Sequence, residues 1–436
     1  MISPTLPVEL VAPLFKPATF ADRDAVNGIL CRLRSDHPLS RAEVPGFDPH
    51  WIVTRHADLR EVAQRDEIFR SGERSKTLMD RETEILVRSH ASGRATPFHS
   101  LVHMDQPEHL KHRVICSRFF APQNIQQYAR FLDETAKSFG EKLISLAPVC
   151  DFANAVSSPF SLSIILGLLD VPPSEHAELL RITRALFRSS DPETGGACCR
   201  AQEPHDAIRN WLDVLEAFDR HFTPIIESRQ GTNQSDLSSM IANGMIDGVS
   251  MSHAAMISYF MLFCTAGHDT TAATAAMGMW QLAMRPDVLD DLKRAPEHIP
   301  AFVEETLRWA TPVQHFVRSA ATDYCLAGRH IRKGDLLYLS YLSANHDEAV
   351  FENPFTFNHR RNPNPHLSFS VGRHTCLGLH LARAALISLW SAILPRLRSV
   401  RLSDEPQMSH STFVSGPKYL PISYEIEAER VMSTIR

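Results

Sequence analysis

Several protein classes are excluded by what this sequence lacks. It has no excess of positive charge: 45 Lys plus Arg stand against 50 Asp plus Glu, a net charge of −5. The electrostatic footprint of sequence-independent nucleic-acid binding is therefore absent. Cysteine is sparse, eight in 436 residues with no C-x-x-C pair. That argues against a disulfide scaffold and fits a reducing cytoplasm. Pro4, Pro7, Pro13 and Pro17 interrupt the first twenty residues, so no secretory leader is expected. There is no internal repeat and no Gly/Ser linker. A membrane span needs about 20 predominantly apolar residues. The nearest approach is 248–268, which holds no Asp, Glu, Lys or Arg but includes Ser250, Ser252, His253, Ser258 and Thr265. It reads as a buried helix of a large core, and no membrane association is expected.

What is present is ordinary globular composition, 44% apolar and 22% charged, in a chain long enough to enclose a sizeable cofactor. Apolar residues recur at helical spacing over 57–69, 109–120, 162–169, 177–187, 207–228, 286–294, 300–309 and 377–394. Residues 252–285 read as one helix, capped by Ser250 or Ser252 and stopped by Pro286, which at 1.5 Å per residue spans roughly 50 Å. Strand patterns are confined to about 47–56, 317–345 and 405–425. The polar stretch 71–106 reads as a long irregular loop, and 189–205 as an exposed connector. The expected fold is mainly α with a smaller β part, in one domain over 1–436.

The densest chemistry lies in Phe369-Ser-Val-Gly-Arg-His-Thr-Cys376-Leu-Gly378. A cysteine at a helix start meets backbone N–H groups and the positive dipole end, both of which favour a thiolate, the form a soft metal ligand takes. Gly372 and Gly378 bracket it and permit close approach of a flat ligand. Phe369 is placed to shield the sulfur from water. A buried structural cysteine is one alternative. A zinc site using His374, Cys376 and His380 is another, without a recognisable fourth ligand. Within 252–285, Ala266-Gly-His-Asp-Thr-Thr271 sets Asp269 directly after an apolar run, where a charge is costly unless used. Glu305 and Arg308 are at i, i+3 on one helix face, and His109 and Arg113 at i, i+4 on another.

Together these segments resemble the signature motifs of the cytochrome P-450 superfamily, over about 51–422. Residues 47–58 and 413–418 look most similar to soluble bacterial hydroxylases of the terpineol-hydroxylase type. The resemblance implies a triangular helical domain with haem b buried between a long central helix and the cysteine loop. It implies Cys376 as the axial iron ligand, Ala266 and Gly267 as the small residues beside the iron, and His109, Arg113, Arg318 and His374 as partners of the haem propionates. It further implies a proton-delivery pair of Asp269 and Thr270, and a structural network of Glu305, Arg308 and Arg361, with Arg360 adjacent as a rival for the last place. Ser370 departs from the family pattern, which usually has glycine there.

The same resemblance puts a substrate pocket over Phe98, Val102, Phe187, Phe260, Phe263, Val313, Gln314, His315, Phe316, Thr412, Phe413 and Val414, with His315 or His99 supplying one hydrogen bond. These residues are mostly apolar, so a small neutral hydrophobic substrate is expected, a monoterpenoid or aromatic hydrocarbon. The implied reaction is a monooxygenation, with dioxygen as co-substrate and electrons from NADH through a flavoprotein reductase and a two-iron ferredoxin. That partner is expected to dock near Lys111, Arg113, Arg373 and Arg383 on a monomeric enzyme. Other readings are a steroid or fatty-acid hydroxylase on the same scaffold, a non-catalytic haem-binding protein, and a zinc hydrolase.

Overall fold

A computed structural model describes residues 5–96, 98–187 and 204–427. It is mainly helical, with sheets at one side and near the C-terminal end. The expected connector at 189–205 lies outside the described residues up to 203; a helix begins at Pro204 and runs to Arg229. Among the described residues, no helix is long and apolar enough to cross a membrane.

The largest core gathers the apolar faces of helices Ala129–Ser145, Ser158–Leu168, Pro204–Arg229, His253–Ala266, Asp269–Met284, Ile299–Ala310 and Leu379–Ile393. Aromatic pairs lock it: Phe222 stacks on Phe260 at 4.5 Å between centroids, and Phe302 meets Trp390 edge-on at 5.3 Å. The five-stranded sheet has the order Leu39–Ala42, His50–Val53, Leu336–Ser340, His315–Ala320, Phe69–Arg70. A three-stranded sheet sets Pro421–Ile426 between Leu397–Leu402 and Val149–Asp151.

Two expectations are corrected. The stretch 252–285 is not one continuous helix. Ser252 does cap it, accepting from Ala255 N–H at 3.2 Å, but the helix ends at Ala266 and a second begins at Asp269. At the break, side-chain hydroxyls take up main-chain carbonyls. Thr270 Oγ1 donates to Ala266 O at 2.7 Å, and Ser161 Oγ donates to Gly267 O at 3.1 Å and His268 O at 2.7 Å. The irregular stretch 71–106 likewise contains a helix, Arg81–His90. Asp80 caps it at Thr83 N–H, and Glu84 is held by Arg74 and Arg88.

Candidate active site

The cysteine loop is built by local hydrogen bonds. Cys376 N–H donates to Phe369 O at 2.8 Å, and Thr375 Oγ1 donates to Gly372 O at 2.6 Å. Gly372 has φ +76°, and a Cβ there would stand 2.6 Å from Ala63 O, so the loop packs directly on the backbone of helix His56–Gln64. Cys376 opens into an interior cavity of about 240 Å³. Burial pushes its thiol up in pKa, while the Gly378 N–H and the charges of Arg113 and Arg383 pull it down. Arg383 lies over the Phe369 ring at 4.7 Å and is paired with Glu304 at 2.6 Å.

Ala266, Gly267 and Thr270 line the opposite side of this cavity, at the helix break. Asp269 points elsewhere. It lines a separate cavity of about 20 Å³ with Ser157, Ser158, Ser409 and Val414, room for one water. Its carboxyl group is buried and accepts no hydrogen bond among the described residues; His268 Nδ1 lies 3.5 Å from Oδ1. His268 Nε2 is in turn 3.0 Å from Ser158 Oγ.

Basic groups gather near the cysteine loop. Arg113 donates to Thr375 O at 2.7 Å, and the His109 and His374 rings lie 4.2 Å apart. Burial first, then neighbouring positive charge, lowers both imidazoles, His109 to about 4. Arg318 is buried, donates to Val317 O at 3.1 Å, and has no ion pair among the described residues. Sequence reasoning missed Lys76, which is buried beside this group; a single lysine in a polar stretch carries no signal. It also missed the wall contributed by Ile164 and Ile165 of helix Ser158–Leu168 and by Phe120, since facing elements are not legible from periodicity.

Glu305 and Arg308 form a two-bonded buried pair, 2.8 Å at each contact, and Arg361 Nε reaches Glu305 at 3.0 Å. Arg360 pairs with Asp291 instead, which separates the two candidates.

Of the expected pocket residues, Val102, Phe263, Val313 and Phe316 line the main cavity. His315 does not. Its Nδ1 is bonded to Thr412 O at 2.8 Å and its Nε2 accepts from Leu78 N–H at 2.9 Å, leaving neither nitrogen for a ligand. Phe413 packs behind Phe316 at 5.5 Å, Val414 faces the Asp269 cavity, and Phe98 and His99 line an outer cavity of about 700 Å³. Phe187 ends a helix, and its side chain lies outside the described residues. Among the described residues no three His, Cys, Asp or Glu side chains converge to hold a metal ion, so the zinc-site alternative lacks a ligand set.

A cysteine in the lining of a largely apolar cavity, with buried basic groups outside any ion pair among the described residues, fits a flat apolar cofactor that carries carboxylates and a thiolate-seeking metal. The chain belongs to the cytochrome P-450 family: the family model for cytochrome P-450 matches residues 98–422. It is 32% identical to Pseudomonas cytochrome P-450-terp over 96% of this chain and 98% of that one. It is 30% identical to a steroid C26-monooxygenase of Mycolicibacterium smegmatis, over 91% of this chain and 90% of that one. Among solved structures, a cytochrome P-450 from Novosphingobium aromaticivorans superposes with a TM-score of 0.90 at 31% identity, over 97% of this chain and all of the other. The protein is a monooxygenase of this family, with haem b as cofactor and dioxygen as co-substrate.

Proposed function

We propose that the protein hydroxylates a small neutral hydrophobic molecule, a monoterpenoid or aromatic hydrocarbon, with electrons from NADH passing through a flavoprotein reductase and a two-iron ferredoxin. The observation that carries this reading is the lining of the main cavity. Its walls are Val102, Phe120, Ile164, Ile165, Leu262, Phe263 and Val313, while its titratable groups, His109, Arg113, Tyr341, His374 and Cys376, gather around the cysteine loop. A charged substrate has no partner elsewhere in it. The 32% identity to cytochrome P-450-terp supports the terpenoid end of the range.

Haem held by Cys376 supplies dioxygen reduction and oxygen insertion into a C–H bond. The chain's own residues do the rest. His109, Arg113, Arg318 and His374 meet the propionates, Arg with paired N–H donors suited to a carboxylate. Phe369, under the Arg383 guanidinium, keeps water from the sulfur. Ala266 and Gly267 leave room on the distal side. Thr270 keeps its hydroxyl proton on Ala266 O and offers its lone pairs to the cavity. Asp269 adjoins a one-water space, and its part in this reading is to relay protons towards Thr270.

For the electron donor, Arg373 and Lys111 are the exposed cations near the cysteine loop. Arg373 is loosely paired with Asp66 at 3.4 Å, and Lys111 pairs with Asp247 on the surface. Arg383 and Arg113 are already committed to Glu304 and Thr375. Docking of an acidic ferredoxin on Arg373 and Lys111 weakens with salt.

A second reading, a steroid or branched-lipid hydroxylase, draws on the outer cavity by Phe98 and His99, which offers a long substrate further space, and on the relatives named for such substrates. Titration of the haem Soret band separates the two. Monoterpenes and small arenes shift it under the first reading, and only sterols or long lipids under the second. No shift with any neutral compound overturns both.

A further inference from the structure

We infer that Lys76 is a fifth cationic partner of the haem carboxylates. This rests on the haem site argued above and adds a residue that neither the sequence motifs nor the comparisons assign.

Lys76 is 4% exposed. Its Nζ donates to Ser71 Oγ at 2.9 Å and lies 5.0 Å from the centre of the Phe316 ring. Arg318 lies over the same ring at 5.9 Å, and Phe316 lines the main cavity. Ser71 Oγ, on its other side, is 3.3 Å from His374 Nε2. The ammonium therefore sits among Arg318, His374 and His109, all basic.

The carboxylates that could neutralise it are engaged elsewhere. Asp105 accepts the Ser71 and Gly72 N–H groups at 2.7 and 2.9 Å, and Glu73 accepts the Ser319 hydroxyl at 2.9 Å. Lys76 has no ion pair among the described residues, and Asp105 favours its ammonium only from a distance, less than desolvation and Arg318 disfavour it. A serine hydroxyl and an aromatic face do not offset the burial of an ammonium. Desolvation, then Arg318, pushes its pKa well below the ordinary lysine range. Burial and the Arg318 charge both disfavour the Lys76 ammonium, and a carboxylate bound beside Lys76 and Arg318 would favour it.

The segment carrying Lys76 is tied to the five-stranded sheet by hydrogen bonds. Lys76 O accepts Val317 N–H at 2.8 Å, pinning the segment to the strand that bears Arg318. Leu78 N–H is held by His315 at 2.9 Å. Two residues remote in sequence are thus set side by side before any carboxylate arrives, and preorganised charge costs little to use.

The test uses the holoenzyme. Lys76→Met keeps the chain length and removes the charge; Lys76→Arg keeps the charge. Haem transfer to apomyoglobin should run about tenfold faster from Lys76→Met than from the parent protein, the scale of a lost buried charge-assisted hydrogen bond. Its haem reduction potential should move to more negative values, since a removed cation disfavours the added electron. Lys76→Arg should stay near the parent in both. Equal haem loss and equal potential in Lys76→Met overturn the inference. If Lys76→Met does not accumulate, Lys76→Gln, which still reaches towards Ser71 without charge, is read the same way. The carbon monoxide difference spectrum is recorded for every variant: an unchanged thiolate-type band shows that the haem–cysteine reading stands whichever way Lys76 falls.

Discussion

The Ser370 hydroxyl lies 2.8 Å from the Tyr341 hydroxyl, and Ser370 holds a backbone φ of +57°. This is the position at which the family pattern has glycine. A side chain in the left-handed region costs roughly 1 kcal/mol or more, and the hydrogen bond to buried Tyr341 returns about 1 kcal/mol. Both residues line the main cavity, so the exchange fixes the cysteine loop from within.

Because Tyr341 and Ser370 share one hydrogen bond, substitutions at the two should be non-additive. Tyr341→Phe should cost about 1 kcal/mol in the parent protein and close to nothing in Ser370→Gly. Thermal unfolding of the four proteins in this cycle measures it; equal costs in both backgrounds would reject the compensation.

Thr270→Ala removes the hydroxyl from the cavity while leaving its walls intact. NADH should still be consumed, but with hydrogen peroxide released in place of hydroxylated product. Product formed per NADH, with peroxide assayed alongside, reports this, and a tightly coupled variant would deny Thr270 its role. Asp269→Asn should slow turnover by roughly 10²-fold, the lower range for a lost proton-transfer group, with substrate binding unchanged because Asp269 is outside the main cavity.

Glu305 is fully buried between Arg308 and Arg361. Glu305→Ala leaves two guanidinium groups without their anion, and breaking a buried pair this way costs about 3–5 kcal/mol. Little folded, haem-loaded protein should accumulate. A normal yield would show that Arg308 is held well enough by the carbonyls of Asn345 and Pro354 alone.

Desolvation chiefly lowers the pKa values of buried His50 and His315 to about 4 and of half-buried His103 to about 3. Unfolding returns them to about 6.5. Between those values the unfolded chain binds more protons than the folded one, so stability rises with pH there. It should be complete above about pH 6.5 and fall as pH drops towards 4, by up to about 1.4 kcal/mol per histidine per pH unit. Unfolding midpoints at pH 7, 6 and 5 follow this, and His315→Gln should flatten the slope.

Much of the site was legible because its motifs are local. The spacing of Phe369, Gly372, Cys376 and Gly378, of Glu305 and Arg308, and of His109 and Arg113 is set by one loop or one helical turn, and sequence distance converts directly into geometry. The helix ends at Ser252 and Pro286 and the apolar faces of the long helices follow from the same short-range rules.

What the tertiary structure decided lies between elements. The break at Gly267 and His268 depends on Ser161, over a hundred residues away. Which arginine reaches Glu305, which side of the helix Asp269 faces, whether His315 has a nitrogen to spare, and that Lys76 lies buried beside Arg318 all depend on which backbone or side chain comes to meet each group. Most of the long helices, the cysteine loop and the class of chemistry could be read from the chain because they rest on interactions within a few residues. Packing alone decided the partners, because a buried polar group is governed by whatever is brought within about 3 Å of it, and no periodicity records that.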